Sequence, residues 1–139
     1  MTLGRMHHLG LALSDLPSAE EAFYRPVLTF LGYRKIEDEN GMTLWFSETA
    51  LAAVNLWQAP PDLAAVRHRD YTPGLQHFAL EADSREEVDA LYRLLQSIEA
   101  TVLDPPAEYD YSPGYYAVFF ADPDGIKFEL VHMPPPSGA

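Results

Sequence analysis

The chain has 139 residues, 47% of them hydrophobic, and carries nine Lys and Arg against 21 Asp and Glu for a formal net charge of −12. That balance offers no basic face for phosphates, so nucleic acid is not an expected partner, and anionic membranes are disfavoured. With no cysteine in the sequence, disulfides and thiolate chemistry are excluded, and any metal must be held by His, carboxylate or amide groups. The length suits one domain with a real core. No apolar run approaches the roughly 20 residues that span a bilayer. The opening MTLGRMHHLG lacks the apolar stretch of a signal peptide, so a cytoplasmic setting is expected.

In chain order, HHLGLALSD (7–15) reads as an apolar strand with histidine at its start. A helical pattern follows, SAEEAFYRPVLTFLG (18–32), with Ser18 as the expected cap, Glu20 and Glu21 suiting the helix dipole, and Gly32 closing it. Asn40-Gly41 marks a two-residue hairpin, and TLWFSETALAAVNLW (43–57) supplies strands beyond it. The segment APPDLAAVRHRDYT (59–72) reads as a connector. Its Arg67-His68-Arg69 is the one basic cluster, a solvated stretch that could also guide an anionic substrate. LQHFALEADS (75–84) then puts a histidine inside a second half-buried strand, and SREEVDALYRLLQSI (84–98) repeats the helical pattern with Ser84 as its cap.

These elements are a repeat. His8 lies over His77 at an offset of 69, and residues 43–57 lie over AVFFADPDGIKFELV (117–131) at an offset of 74 without a gap. The loop DPPAEYDYSPG (104–114) accounts for the five extra residues. The chain is therefore two copies of strand, helix and three strands, at about 5–58 and 73–133, joined by 59–72 within one domain.

The paired modules, HHLGLALSDL near the start and DPDGIKFELV near the end resemble the vicinal oxygen chelate superfamily, which comprises glyoxalases, bleomycin-resistance proteins and extradiol dioxygenases. The resemblance covers nearly the whole chain. It implies an α+β fold of two βαβββ modules, each curling its sheet into a half-open cup, with a divalent metal (Fe, Mn, Zn or Ni) where two modules meet. It also implies a homodimer, since many members are dimeric and some build each site from both subunits. The family's ligand positions, on the first strand of each module and the last strand of the second, fall here on His8, His77 and Glu129.

Strand alternation agrees with that assignment. His8 shares its face with Gly10 and Ala12 against Leu9, Leu11 and Leu13. His77 goes with Ala79 and Glu81, and Glu129 with Lys127 and Val131. The leucine face is expected to meet the helix and the histidine face to form the open cup. Two imidazoles and a carboxylate make the facial arrangement that leaves open positions on a metal. His7 is expected to be exposed or to lie beside the ligands. The remaining family position falls on Asn55, where glyoxalase I carries Glu and methylmalonyl-CoA epimerase Gln. A typical glyoxalase I is therefore not expected, and Asn55 is expected to bond a bound water or substrate, with direct ligation of the metal as the alternative.

In DPDG (122–125) the turn signal is a three-residue loop with Gly in the left-handed position. Counting outward from an Asp122–Ile126 pair sets Phe119 opposite Glu129. The repeat then sets Trp45 opposite Asn55, with Trp57 on the same face. Trp45, Trp57, Tyr115 and Phe119 would ring the cup, suiting an apolar or aromatic ligand, or would pack the sheet's floor. Extradiol dioxygenases and fosfomycin-modifying enzymes usually carry Tyr where this chain has Phe119, which weakens both branches; Tyr109, Tyr111 or Tyr115 could supply a hydroxyl instead. Two functions follow from the resemblance: a metal-dependent lyase, isomerase or dioxygenase acting on a small oxygen-chelating substrate, or a drug-binding protein of the bleomycin-resistance type.

Overall fold

The computed structural model describes residues 2–135. The chain divides into two compact units, Met1–Val66 and Arg67–Ala139, with the boundary inside the expected connector. The first unit runs β1 (His8–Leu13), α1 (Leu16–Ala19), a π-helical turn (Glu20–Tyr24), α2 (Arg25–Phe30), β2 (Arg34–Glu39), β3 (Met42–Ser47) and β4 (Ala52–Gln58). The second runs β5 (Phe78–Glu81), α3 (Arg85–Ser97), β6 (Thr101–Glu108), β7 (Tyr116–Ala121) and β8 (Lys127–His132). The sheets share one topology, β1-β4-β3-β2 and β5-β8-β7-β6, and neither closes on itself. The first pair in each order is parallel and the others antiparallel. Both βαβββ modules are thus present. Among the described residues no helix is long and apolar enough to cross a membrane.

Burial follows the two-residue period of the strands. Leu11 and Leu13 are buried while His8, Gly10 and Ala12 are exposed, and in β8 Phe128 and Leu130 join the core. In the second unit that core includes Val88, Leu91 and Leu95 of α3, three and four residues apart on one helical stripe. Ser84 caps α3 as expected, accepting from Glu87 N at 3.1 Å. Gly32, at φ +89°, closes α2 in a Schellman arrangement, with Gly32 N donating to Thr29 O (3.1 Å) and Tyr33 N to Leu28 O (2.8 Å).

Three local expectations are corrected. The first helix begins before Ser18: Asp15 is the cap, accepting from Ser18 N at 3.1 Å, and Pro17 occupies the first turn, where its missing N–H costs nothing. The helix is also interrupted by a π turn closed by Arg25 N donating to Glu20 O. Pro26 accounts for it, because in a continuous α-helix its ring would strike the Ala22 carbonyl. The part of DPPAEYDYSPG from Asp104 to Glu108 belongs to β6, not to a loop. Pro105 and Pro106 sit where the register against β7 shifts, on an edge strand that tolerates them.

Trp45 is the fourth correction. It pairs with Val54, and Leu44 takes the position opposite Asn55. Four residues join Ser47 to Ala52, whereas five join Ala121 to Lys127 in the second unit. One residue fewer in the turn moves every β3 side chain to the other face. Leu51 holds the left-handed turn position at φ +52°, where the second hairpin has Gly125 at +85°. Trp45 is consequently 2% exposed, on the helix side of the sheet.

There Trp45 Nε1 donates to Glu20 Oε2 (3.1 Å), as does Thr43 Oγ1 (2.5 Å), while Lys35 Nζ donates to Oε1 (2.9 Å). Burial alone would raise the Glu20 pKa, but the bonds from Thr43, Lys35 and Trp45 outweigh it and hold the carboxyl below its ordinary value. Its ionised form therefore adds stability above the unfolded carboxylate pKa, and that stability is lost as pH falls through the lower, folded value. Glu20→Ala should lower the unfolding free energy by about 1–3 kcal/mol at neutral pH, because it strands the Trp45 and Thr43 donors. Urea titrations at pH 7 and pH 3 check this: the gap between variant and parent should narrow at the acid end.

Candidate functional site

In the second unit the chain after Gln76 enters β5 beside β8, and β8 lies against β7. Glu129 is therefore flanked by Ala79 on one side and Phe119 on the other, the second pairing as expected from the DPDG turn. Asp122 N donates to Ile126 O (3.0 Å), and Asp122 Oδ1 accepts from Asp124 N (2.9 Å) and Ile126 N (2.8 Å), which fixes that turn. Glu129 is only 2% exposed. His77 Nε2 stands 3.1 Å from its Oε1, and the Tyr115 hydroxyl donates to its Oε2. On the far side of the imidazole, Nδ1 meets Gln76 Oε1.

These contacts bear on which cation the pair can hold. If Nδ1–H is given to Gln76, Nε2 of a neutral imidazole carries a lone pair, and that lone pair faces a carboxylate oxygen. In the other tautomer, or in the imidazolium, Nε2–H donates to Oε1; with Nε2 unprotonated, the two acceptors at 3.1 Å leave a place for a cation between or beside them. Imidazole nitrogen and carboxylate oxygen suit Zn, Fe, Mn and Ni. Two donors about 2.1 Å from one ion at right angles stand about 3 Å apart. The spacing of His77 and Glu129 fits two ligands of a divalent metal.

The remaining predicted residues are distributed as follows. His8 lies in the first unit, exposed, with its Nδ1 2.9 Å from that of His7, which is exposed as expected. Among the described residues, no three His, Asp or Glu side chains gather as a ligand set. Asn55 donates its amide to Leu9 O (3.0 Å) and accepts from Trp57 Nε1 (3.1 Å). Gly10 is paired with Asn55, and a Cβ at Gly10 would come within 3.1 Å of the end of its amide group, so only glycine fits beside it without a shift. Trp57 shares this face and is 47% exposed. Trp45 does not.

A cavity of about 380 Å³ opens over the His77–Glu129 pair, with Phe119, Tyr109, Tyr111 and Tyr115 among its walls. Tyr109 and Tyr111 stack nearly parallel (5.3 Å between centroids, 7°), and Tyr109 meets Phe119 edge-on (5.5 Å, 86°). Tyr111 stands edge-on to Tyr115 at 5.1 Å. Phe119 is 6% exposed and has no polar group to offer; the hydroxyl at Glu129 comes from Tyr115 instead. Burial, then the bond to Glu129, pushes the Tyr115 phenol well above its ordinary pKa, so it is a neutral donor. Burial and the Asp104 charge raise Tyr109 in the same sense. Lys127, Asp104 and Gln76 also line the cavity. The sequence placed Lys127 on the face of Glu129, two residues away, but gave it no role; nothing in it brought Asp104 or Gln76 to the site.

The chain belongs to the Glyoxalase/Bleomycin resistance protein/Dioxygenase superfamily, whose sequence profile matches residues 5–130. It is 35% identical over 130 residues to the uncharacterized protein YqjT of Bacillus subtilis, covering 91% of this chain and 97% of that one. A crystal structure provisionally assigned as a glyoxalase, from Bacillus halodurans, superposes with a TM-score of 0.82 at 26% identity, covering 95% of this chain and 98% of that one. The fold is also that of the fosfomycin resistance protein FosX from Listeria monocytogenes, with TM-score 0.70, 19% identity and coverage of 94% and 93%.

Tyr115→Phe tests the hydroxyl's part in holding Glu129. Losing one bond to a buried carboxylate should cost about 1–3 kcal/mol of unfolding free energy, read by urea denaturation. Tyr111→Phe, which bonds no carboxylate here, should change it by far less.

Proposed function

We propose that the protein is a divalent-metal-dependent enzyme, a lyase, isomerase or dioxygenase in type, acting on a small, oxygen-chelating, apolar or aromatic substrate. The observation that carries this reading is the buried Glu129 carboxylate facing His77 Nε2 at 3.1 Å beneath an aromatic-walled cavity. His77 and Glu129 would hold the ion, with His8 as the third donor on the strength of the family resemblance. The ion would act as a Lewis acid on a bound oxygen.

The chain's own residues do the rest. Gln76 orients the His77 ring through Nδ1, leaving Nε2 toward Glu129. Tyr115 fixes the second carboxylate oxygen and keeps a proton at its own hydroxyl. Phe119 excludes water from the floor without donating a proton. An activity that needs a tyrosine at position 119 should therefore be weak here, unless Tyr115 stands in for it.

A second reading, a binding protein for planar drugs, is favoured by the aromatic walls of the cavity. Calorimetric titration of the chelator-treated protein with Zn, Mn, Ni and Fe(II) separates the two readings. The enzyme reading expects about one ion per site, with His77→Ala and Glu129→Gln each weakening binding by about 100-fold or more. No ion binding, together with tight capture of a planar drug, would establish the binder instead. Assays with catechols and fosfomycin should give low turnover that Phe119→Tyr raises, general acid–base groups typically contributing about 10²–10⁴-fold.

A further inference from the structure

Lys127 is one of two lysines in the chain. The other, Lys35, is committed to two carboxylates at 2.9 Å each, Glu20 and Asp38. Lys127 forms no ion pair among the described residues, although 21 acidic side chains are available in this strongly negative chain. Its ammonium instead reaches over the Phe119 ring, 5.1 Å from the centroid, and lines the cavity. The His77 ring meets the same phenyl from 6.1 Å. The cavity floor is thus overhung by a cation and bordered by the His77–Glu129 pair, with Tyr109 and Tyr111 stacked beside it.

An ammonium left over an apolar ring is half desolvated and has donors to spend. A neutral arene would satisfy the tyrosine walls but leave those donors unmet, and a simple aliphatic acid would meet the ammonium but waste the walls. A volume of about 380 Å³ is at the small end of ligand pockets, which run from roughly 300 to 1,000 Å³. We infer that this pocket selects a planar aromatic acid, its ring against Tyr109 and Tyr111 and its carboxylate on Lys127 Nζ. This narrows the substrate class of the reading proposed above and rests on it only for the chemistry, not for the binding.

The experiment compares 2-naphthoate, its uncharged amide 2-naphthamide, and cyclohexanecarboxylate, titrated into the full chain with and without bound metal. Naphthoate should bind at least about tenfold more tightly than the amide, the worth of one bond to a charged group, and more tightly than the non-planar acid. Lys127→Met should bring naphthoate and naphthamide to equal affinity while leaving the amide's own affinity in place, and Lys127→Arg should keep the preference. If Lys127→Met does not fold, Lys127→Gln reads the same ratio. Equal binding of acid and amide by the parent protein, a preference that survives Lys127→Met or Lys127→Gln, equal binding of the two acids, or no binding of naphthoate would each overturn the inference. The outcome is separable from that of the metal titration. An acid preference without metal binding removes only the enzyme reading, and metal binding without an acid preference removes only this one.

Discussion

What the second unit can do chemically depends on the register of β8 between β5 and β7. Glu129 is set against Ala79 and Phe119, and that single alignment brings the carboxylate to the face that His77 and Tyr115 also reach. A slip of one residue would turn Glu129 into the apolar layer under α3 and put Phe128 or Leu130 into the cavity. The Asp122–Gly125 turn holds the register by hydrogen bonds to the Asp122 backbone and side chain, and a flanking core of Val118, Phe120, Phe128 and Leu130, all buried, opposes slippage. A buried carboxylate opposes folding unless it is bonded, so the site and the sheet that carries it are coupled. The same packing that aims Glu129 at His77 requires that something there satisfy it.

The sequence made this half of the site legible because its signals are discrete. A Pro-Asp-Gly turn fixes a pairing by count, and the period of two then assigns faces. Phe119 falls opposite Glu129 where that arithmetic puts it, whereas His77 and Tyr115 lie just before β5 and β7 and reach the carboxylate from there. The first hairpin offers no such signal. In SETAL the left-handed position is taken by Leu51 at φ +52°, a residue with no preference for it. The gapless alignment of 43–57 with 117–131 hides a turn one residue shorter and so puts Trp45 on the wrong face. An alignment by residue type cannot reveal where strands pair when the compensating difference lies in the turn.

Glu20 was hidden for a different reason. Two glutamates at a helix start read as a response to the dipole, and for exposed Glu21 the surface role stands, paired as it is with Arg25. Glu20 is drawn inward because Pro26 widens the helix into a π turn. Trp45, flipped by the short hairpin, and Thr43 then arrive with donors. Neither local irregularity predicts a buried carboxylate by itself. Together they produce one, which is why propensity along the chain failed where pairing across it would have succeeded.

The two units, alike in topology, spend their equivalent positions differently. At the paired place on the last strand one has Glu129, buried and facing an imidazole; the other has Asn55, whose amide is used within its own sheet by Leu9 O and Trp57 Nε1. Beneath it Gly10 leaves room for that amide, where the second unit has Ala79 beside the carboxylate. The walls diverge in the same direction. Aromatic rings and an uncommitted ammonium gather over Glu129, whereas Asn55 has Leu44 opposite it on β3 and a half-exposed Trp57 two residues on along β4. A duplicated module needs only one of its copies to carry charge for chemistry, and an amide that bonds its own backbone removes the electrostatic cost of a second buried anion. On the proposed reading the ligand-recognising groups are concentrated in the second unit, and variation at Tyr109, Tyr111 and Lys127 would alter what is bound while leaving in place the Tyr115 bond that holds Glu129.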